Sequence, residues 1–347
     1  MHLRSLNRTF AEKSSKMKTN RPLIAHLSMF GACAFWGLMA PLGKDAMTHG
    51  IDGLTMVTFR VLGGCLLFWL TSLILGHLRP TTADGGDSSP IIEHIPLKDK
   101  LMFIGAGLFG LVTNQCCYTI GLSITSPVNA SIVTTSMPIF AMILSAIILG
   151  EPITGKKAIG VLMGCSGAII LILTSASALS DKVGDIRGDL LCLGAQFSFA
   201  LYLSLFNKLI RRYNVFTINK WMFLWATLMI LPFTAHHVIT AIDWPNVPTK
   251  TWLEAGYVVF FGTYVGYILT MIGQKTLRPT VVSVYNYVQP LVSVTVSVLT
   301  GIGVFTWSQG LAVILVFSGV WLVTKSRSRR DIEAAKAKSN QEHETPC

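Results

Sequence analysis

The chain has 347 residues, 51% of them hydrophobic and only 13% charged, with a mean hydropathy of +0.56 and a formal net charge of +11. A soluble domain carries about a quarter charged residues, so composition excludes an ordinary water-soluble enzyme or binding module. The basic excess argues equally little for a nucleic-acid face, because it lies in tails and short loops between long apolar windows.

Those windows run, in chain order, over approximately 24–44, 53–76, 101–120, 128–149, 157–176, 188–207, 218–238, 252–273, 281–300 and 309–325. Each is close to the ~20 residues that cross a bilayer. In hydrocarbon a backbone must bond to itself, so each is expected to be a helix. The first window follows six basic residues but shows no clear small-residue cleavage site, and nine more follow it. It reads as a retained helix rather than a removed signal peptide. Residues 1–23 and 326–347 are polar tails, and 77–100, with Pro80, Gly85 and Gly86, is a connector.

With ten spans and both termini on one side, that side collects 22 of the 28 Lys and Arg. This is the positive-inside pattern. It places the termini in the cytoplasm and the chain, as a multi-pass protein, in the inner (plasma) membrane with the bilayer as partner.

Shifting the sequence by 152 residues aligns Gly110/Gly262, Gly121/Gly273, Pro127/Pro279, Ser131/Ser283, Pro138/Pro290, Ser145/Ser297, Thr154/Thr306, Ser166/Ser318 and Gly167/Gly319 without a gap. Phe35/Phe199 and Lys44/Lys208 match at an offset of 164. The expected organisation is therefore a duplicated five-helix unit, 24–176 and 188–325. Five is odd, so the second copy enters the membrane in the opposite sense. The fold class expected is an all-α integral membrane protein of ten transmembrane helices in two inverted repeats. Such folds place a substrate site between the halves.

Several local sequences carry a family resemblance: Phe35-Trp36-Gly37 with Pro41 and Lys44, Arg60 in the second window, Leu149-Gly150-Glu151-Pro152 before Thr154, and Ser166-Gly167. In this order and spacing the chain resembles the EamA-type drug/metabolite transporters over about 24–325. The resemblance implies a secondary transporter of small metabolites, often amino acids or related compounds and often outward. The second repeat departs from the pattern, with Gly303 and Val304 where Glu151 and Pro152 would recur and no FWG before Lys208.

Polar residues near mid-span are the candidates for substrate contact: Asn114, Gln115 and Tyr118, then Gln196 and Tyr202, Tyr264 and Tyr267, and Tyr285, Asn286 and Gln289. Amides and phenols offer donors and acceptors without burying a full charge, although each could equally bond helix to helix. Arg60 lies seven or eight residues inside its window. There it could meet a substrate carboxylate or reach back to Asp45 or Asp52. Lys44 reads as an interfacial anchor. Glu151 is expected at the cytoplasmic surface, paired with Lys156 or Lys157. Pro138 and Pro290 could be paired hinges or static kinks.

A small and polar stripe at Ser131, Thr134, Thr135, Pro138, Met142 and Ser145, repeated from Ser283 to Ser297, reads first as a packing seam. The acidic residues lie in tails, loops or helix ends, which disfavours proton relay through a deep carboxylate. No catalytic residue, metal site or cofactor is expected. The seven cysteines have no metal-ligand spacing, and no ATPase loop occurs. One chain holds both halves, so a monomer suffices and a dimer stays open. A membrane enzyme acting on a lipid-linked substrate and a non-transporting scaffold are the rival readings.

Overall fold

The computed structural model describes residues 2–78, 95–125, 130, 133–176, 185–299, 307–327 and 331–333. Among these residues the chain is all-helical. The helices are α1 (His2–Thr48), α2 (Gly53–Leu78), α3 (Leu97–Ile124), α4 (Met137–Leu149) and α5 (Gly155–Ala176). They continue as α6 (Ile186–Leu205), α7 (Val215–Thr240), α8 (Thr249–Thr276), α9 (Pro279–Val284 and Val288–Leu299) and α10 (Trp307–Thr324). Among the described residues six helices are long and apolar enough to cross a membrane: Pro22–Thr48 of α1, Gly53–Leu75 of α2, and all of α3, α6, α7 and α8. Leu70, Ile147, Leu162, Phe233 and Leu253 are exposed, the lipid-facing periphery of a multi-pass membrane protein.

Two helices are less regular than their sequences suggest. The window 128–149 does not form one helix: a turn at residues 135–136 precedes α4. Residues 126–129 and 131–132, with Pro127 and Ser131, lie outside the described residues. In α9 a single 3-10 turn, Tyr285–Tyr287, interrupts the helix. Pro138 stands in the first turn of α4, and Pro290 is the third residue of Val288–Leu299. Each proline therefore opens the second part of an interrupted element, where its missing amide matters least. The expected bend in a continuous helix is absent because the interruption comes before the ring. Gly150, at φ +64°, takes the left-handed conformation that ends α4, which accounts for its place in Leu149-Gly150-Glu151-Pro152.

The main packing partners are α5 with α10, α2 with α7, α3 with α6, α1 with α8, α4 with α6 and α1 with α9. Exchanging the first five helices for the last five turns this set of pairs into itself. The α5–α10 contact is backbone on backbone. A Cβ added at Gly319 would lie 2.6 Å from the Gly160 carbonyl oxygen and 2.9 Å from the Gly164 Cα. Without a hydrophobic driving force inside lipid, this close approach is what holds two helices together.

Both ends of the bundle are tied by polar contacts. At one end Lys250 pairs with Asp45 at 2.6 Å, Thr251 donates to the His49 carbonyl at 2.9 Å, and His237 meets Asp52. Burial pushes the Asp52 carboxyl up, but hydrogen bonds from Thr55 and His237 outweigh it and hold the group below its ordinary range. At the other end Asp99 accepts from Arg212 at 2.7 Å and from Tyr213. There Glu151 lies 4.0 Å from Lys157 and 3.9 Å from Arg278. Lys157 meets the expectation of a partner for Glu151, and Arg278, from the other half, was not anticipated.

Gly319→Ala is expected to lower the thermal transition of the detergent-purified protein, at a cost of about 1–3 kcal/mol for overpacking. Gly194→Ala, where a Cβ meets nothing within 4 Å, should leave the transition in place. Equal transitions for the two variants would show that the α5–α10 approach is not tight.

Candidate functional site

α3 and α8 each contain one π-helical turn, Leu108–Thr113 and Phe260–Val265. The two turns are 152 residues apart, the interval of the sequence duplication. A π turn widens the helix and shifts the residues after it onto a new face, and such turns gather at functional sites. It also leaves carbonyls for other donors. Tyr267 donates its hydroxyl to Gly110 O at 3.3 Å, and Trp36 donates Nε1 to Gly262 O at 2.8 Å. Gly110 and Gly262 are a matched pair, and each bond runs from one half of the chain to the other. Nearby, Ser198 donates to Phe109 O at 2.7 Å, again between halves.

The residues following the turns line a cavity. Its wall takes Trp36 and Met39 from α1, Arg60 from α2, and Asn114 and Tyr118 from α3. The opposite wall takes Gln196 and Phe199 from α6, Tyr267 from α8, and Asn286 and Gln289 from α9. Thr134 and Met137, at the interruption before α4, complete it. Under the 152-residue shift Thr134 falls on Asn286 and Met137 on Gln289, so both interrupted elements contribute the same two positions. The space is about 60 Å³, room for a few waters at about 10–15 Å³ each. It lies within about 510 Å³ of empty volume that opens to solvent.

Of the residues singled out from sequence, Arg60, Asn114, Tyr118, Gln196, Tyr267, Asn286 and Gln289 meet in this cavity. Asn114 donates to Ala195 O at 3.0 Å, which fixes its amide against α6. Gln289 donates to Asn286 Oδ1 at 2.9 Å, while the Asn286 amide also contacts Met137 Sδ. Four others do not line the cavity and bond helix to helix instead. Gln115 is fully buried and donates to the Tyr267 hydroxyl at 3.2 Å. Tyr202 donates to Gln274 at 3.2 Å among the sulfurs of Met222 and Met271. The Tyr264 hydroxyl pairs with Thr71 at 2.6 Å and that of Tyr285 with His26 at 2.7 Å. None of these four side chains reaches the cavity wall, a placement that spacing along one helix does not reveal.

Arg60 is buried at 5% exposure. Its Nε donates to Thr263 Oγ1 at 3.1 Å and its Nη1 to Thr119 Oγ1 at 3.2 Å. It reaches neither Asp45 nor Asp52, which are engaged with Lys250 and His237. Lys44 is more than an interfacial anchor. Its ammonium donates to the carbonyls of Leu122, Ser123 and Thr125 at 2.8, 2.9 and 3.1 Å, closing the C-terminal end of α3. A cation suits that end, where carbonyls lack helical partners. In the second half Arg211 does the corresponding work, donating to Leu277 O at 3.0 Å.

Trp36, Met39, Thr134, Met137 and Phe199 were absent from the candidates. For two of them the signal was present: Trp36 stands in the FWG sequence, and Phe199 is the residue matched to Phe35. In the structure Trp36 meets Phe199 and Tyr267 edge-on, with centroids 6.3 and 6.2 Å apart. Stripe residues Thr135 and Ser145 do form a seam, contacting Cys165 at 3.6 Å and Thr280 at 3.2 Å. The side chains of Val294 and Ser297 lie outside the described residues.

The model of the EamA-like transporter family matches the chain twice, over residues 23–173 and 186–325. The uncharacterized transporter YetK of Bacillus subtilis is 22% identical over 331 residues, covering 94% of this chain and 96% of its own length. The uncharacterized transporter YyaM of the same organism is 26% identical over 227 residues, 64% of this chain and 72% of its own. A probable amino-acid metabolite efflux pump of Escherichia coli is 27% identical over 208 residues, 56% of this chain and 66% of its own. A solved crystal structure shares the fold, with a TM-score of 0.65 at 20% identity over 87% of this chain and 98% of that one. With both halves matched by one family model, and a cavity between them, the chain belongs to the EamA-like transporter family.

Proposed function

We propose that this protein is a secondary transporter that exports a small polar metabolite, such as an amino acid or a related compound, by alternating access. Ten helices cross the inner membrane as two inverted five-helix repeats, with both termini in the cytoplasm. The observation that carries this reading is the cavity between the halves, walled by residues of both, two pairs of them at matched positions, and containing a buried arginine. A polar, partly open cavity at a repeat interface is where such folds bind substrate. The packing pairs that survive exchange of the two halves support the internal two-fold relation. The positive-inside distribution of Lys and Arg supports the orientation. The export direction is supported by the Escherichia coli relative, a probable amino-acid metabolite efflux pump.

In this mechanism the substrate displaces water from the cavity and is held by the amides of Asn114, Gln196, Asn286 and Gln289 and by aromatic faces. The halves then rock about the cavity, parting the polar ties at one end and forming those at the other. Ion pairs that reach the surface, such as Lys250–Asp45, are worth about 0–1 kcal/mol, so substrate binding energy exchanges them at little cost. Pro138 and Pro290, each just after an interruption, are the places where α4 and α9 hinge. Nucleotide hydrolysis has no part in the cycle, and a single chain performs it.

Purified protein in liposomes should show saturable flux of its solute without ATP. Tyr267→Ala is expected to lower that flux about ten-fold or more, through loss of the Gly110 and Gln115 contacts, at unchanged insertion. Undiminished flux in this variant would remove Tyr267 from the site. For topology, a membrane-impermeant maleimide applied from outside should label Lys250→Cys and spare Lys208→Cys in a cysteine-free background. The opposite pattern would contradict cytoplasmic termini, and labelling of both would contradict a membrane crossing by the helix between them.

A further inference from the structure

Arg60 is the one charged side chain among the residues that line the cavity. Among the described residues no carboxylate lies within 4.0 Å of it, the limit for an ion pair. The two nearby in sequence, Asp45 and Asp52, pair elsewhere. Its hydrogen-bond partners are the hydroxyls of Thr263 and Thr119, which orient the guanidinium without neutralising it. Thr263 itself donates to Val258 O at 2.9 Å, a bond across the π turn of α8. That bond turns the Thr263 oxygen toward Arg60. The π turn thus aims the guanidinium. A guanidinium has five N–H donors, and two are used in this way. A buried cation without a counter-ion is unfavourable until an anion reaches it.

The surroundings of Arg60 restrict what that anion can be attached to. The edge-on aromatic rings of Trp36, Phe199 and Tyr267 share the cavity wall with Arg60. Arg60 also lines a second, smaller recess with Met39, Met47, Met56, Leu122 and Val258. Thioether side chains are adaptable apolar walls. A second negative charge on the ligand would find no second cation on the cavity wall. An ammonium group would find no carboxylate there and would share the space with Arg60.

We propose that the cavity selects an organic monoanion, one carboxylate on the free edge of Arg60 and an apolar or aromatic body against the rings and methionines, with no ammonium group required. This rests on the transporter reading only for what is carried, since binding is measured on its own. It specifies the metabolite proposed above as a related compound that carries the carboxylate of an amino acid without its ammonium group.

Four probes sharing one phenyl body separate the cases: 3-phenylpropionate, 3-phenylpropionamide, phenylalanine and phenethylamine. Binding to purified full-length protein is followed by tryptophan fluorescence and titration calorimetry. The acid is expected to bind about ten-fold or more tightly than the amide or the amine, the size of a charge-assisted hydrogen bond, with phenylalanine weaker than the acid. Arg60→Gln should bring the acid down to the level of the amide, and Arg60→Lys should keep part of the preference, with thermal transitions confirming that both variants fold. Amide, amine or phenylalanine binding as tightly as the acid would overturn the proposal. So would a preference that survives in Arg60→Gln, or no binding of any probe by folded protein. Flux in liposomes separates the two readings. Arg60-dependent acid binding without flux would sink transport and leave the site. Flux of phenylalanine or phenethylamine without acid binding would sink the site and leave transport.

Discussion

The arrangement depends on two carbonyl oxygens. Each half of the chain contains one π turn in its third helix, and each turn offers a glycine carbonyl that an aromatic side chain of the other half takes. Gly110 O receives the Tyr267 hydroxyl and Gly262 O the indole of Trp36. Inside hydrocarbon an unpaired carbonyl costs several kcal/mol, so these bonds are hard to lose without a replacement. They fix the centre of the molecule, and the cavity is what remains beside them. The approach is close at both positions, against a packed ring at Gly110 and against a flexible thioether at Gly262. A Cβ at Gly110 would meet the Tyr202 ring at 2.8 Å, and one at Gly262 would meet Met39 Sδ at 2.6 Å.

From that centre the strength of the ties between halves falls toward the ends. The middle is held by buried hydrogen bonds and by the glycine-lined contact of α5 with α10. The ends are held by partly exposed pairs such as Lys250–Asp45 and Arg212–Asp99. Water competes for exposed charges and makes such pairs weak, whereas nothing competes for buried carbonyls. This gradient from a firm centre to weaker ends is what the proposed rocking of the two halves requires. Lys44 and Arg211 each close the end of a helix of their own half.

Much of this was legible in the sequence. Apolar windows mark most of the helices, and the interval of 152 residues marks the duplication that the family model matches twice. The buried Arg60 was conspicuous because hydrocarbon makes charge expensive. Side-chain direction was not legible. Gln115 and Tyr267 are matched positions, yet Tyr267 faces the cavity and Gln115 is buried behind it as its donor. Tyr202, Tyr264 and Tyr285 looked like cavity phenols and are inter-helix bonds, because the rotation of a helix about its axis is set by its neighbours. The π turns also escaped, although Gly110 and Gly262 marked them. A single inserted residue leaves hydropathy unchanged and displaces everything after it by about 100° around the axis, as follows from 3.6 residues per turn. Pro138 and Pro290 were placed correctly in sequence, but their helices break before them rather than bend at them.

Whether the two halves separate at their ends can be measured directly. His49 and Thr251, from opposite halves, meet where Thr251 donates to the His49 carbonyl at 2.9 Å. Cysteines at both positions, in a cysteine-free background, can be joined by a short reducible cross-linker in reconstituted vesicles. Rocking of the halves predicts that cross-linking stops flux of the transported solute and that reduction restores it. Flux that continues undiminished in fully cross-linked protein would contradict alternating access between the two repeats.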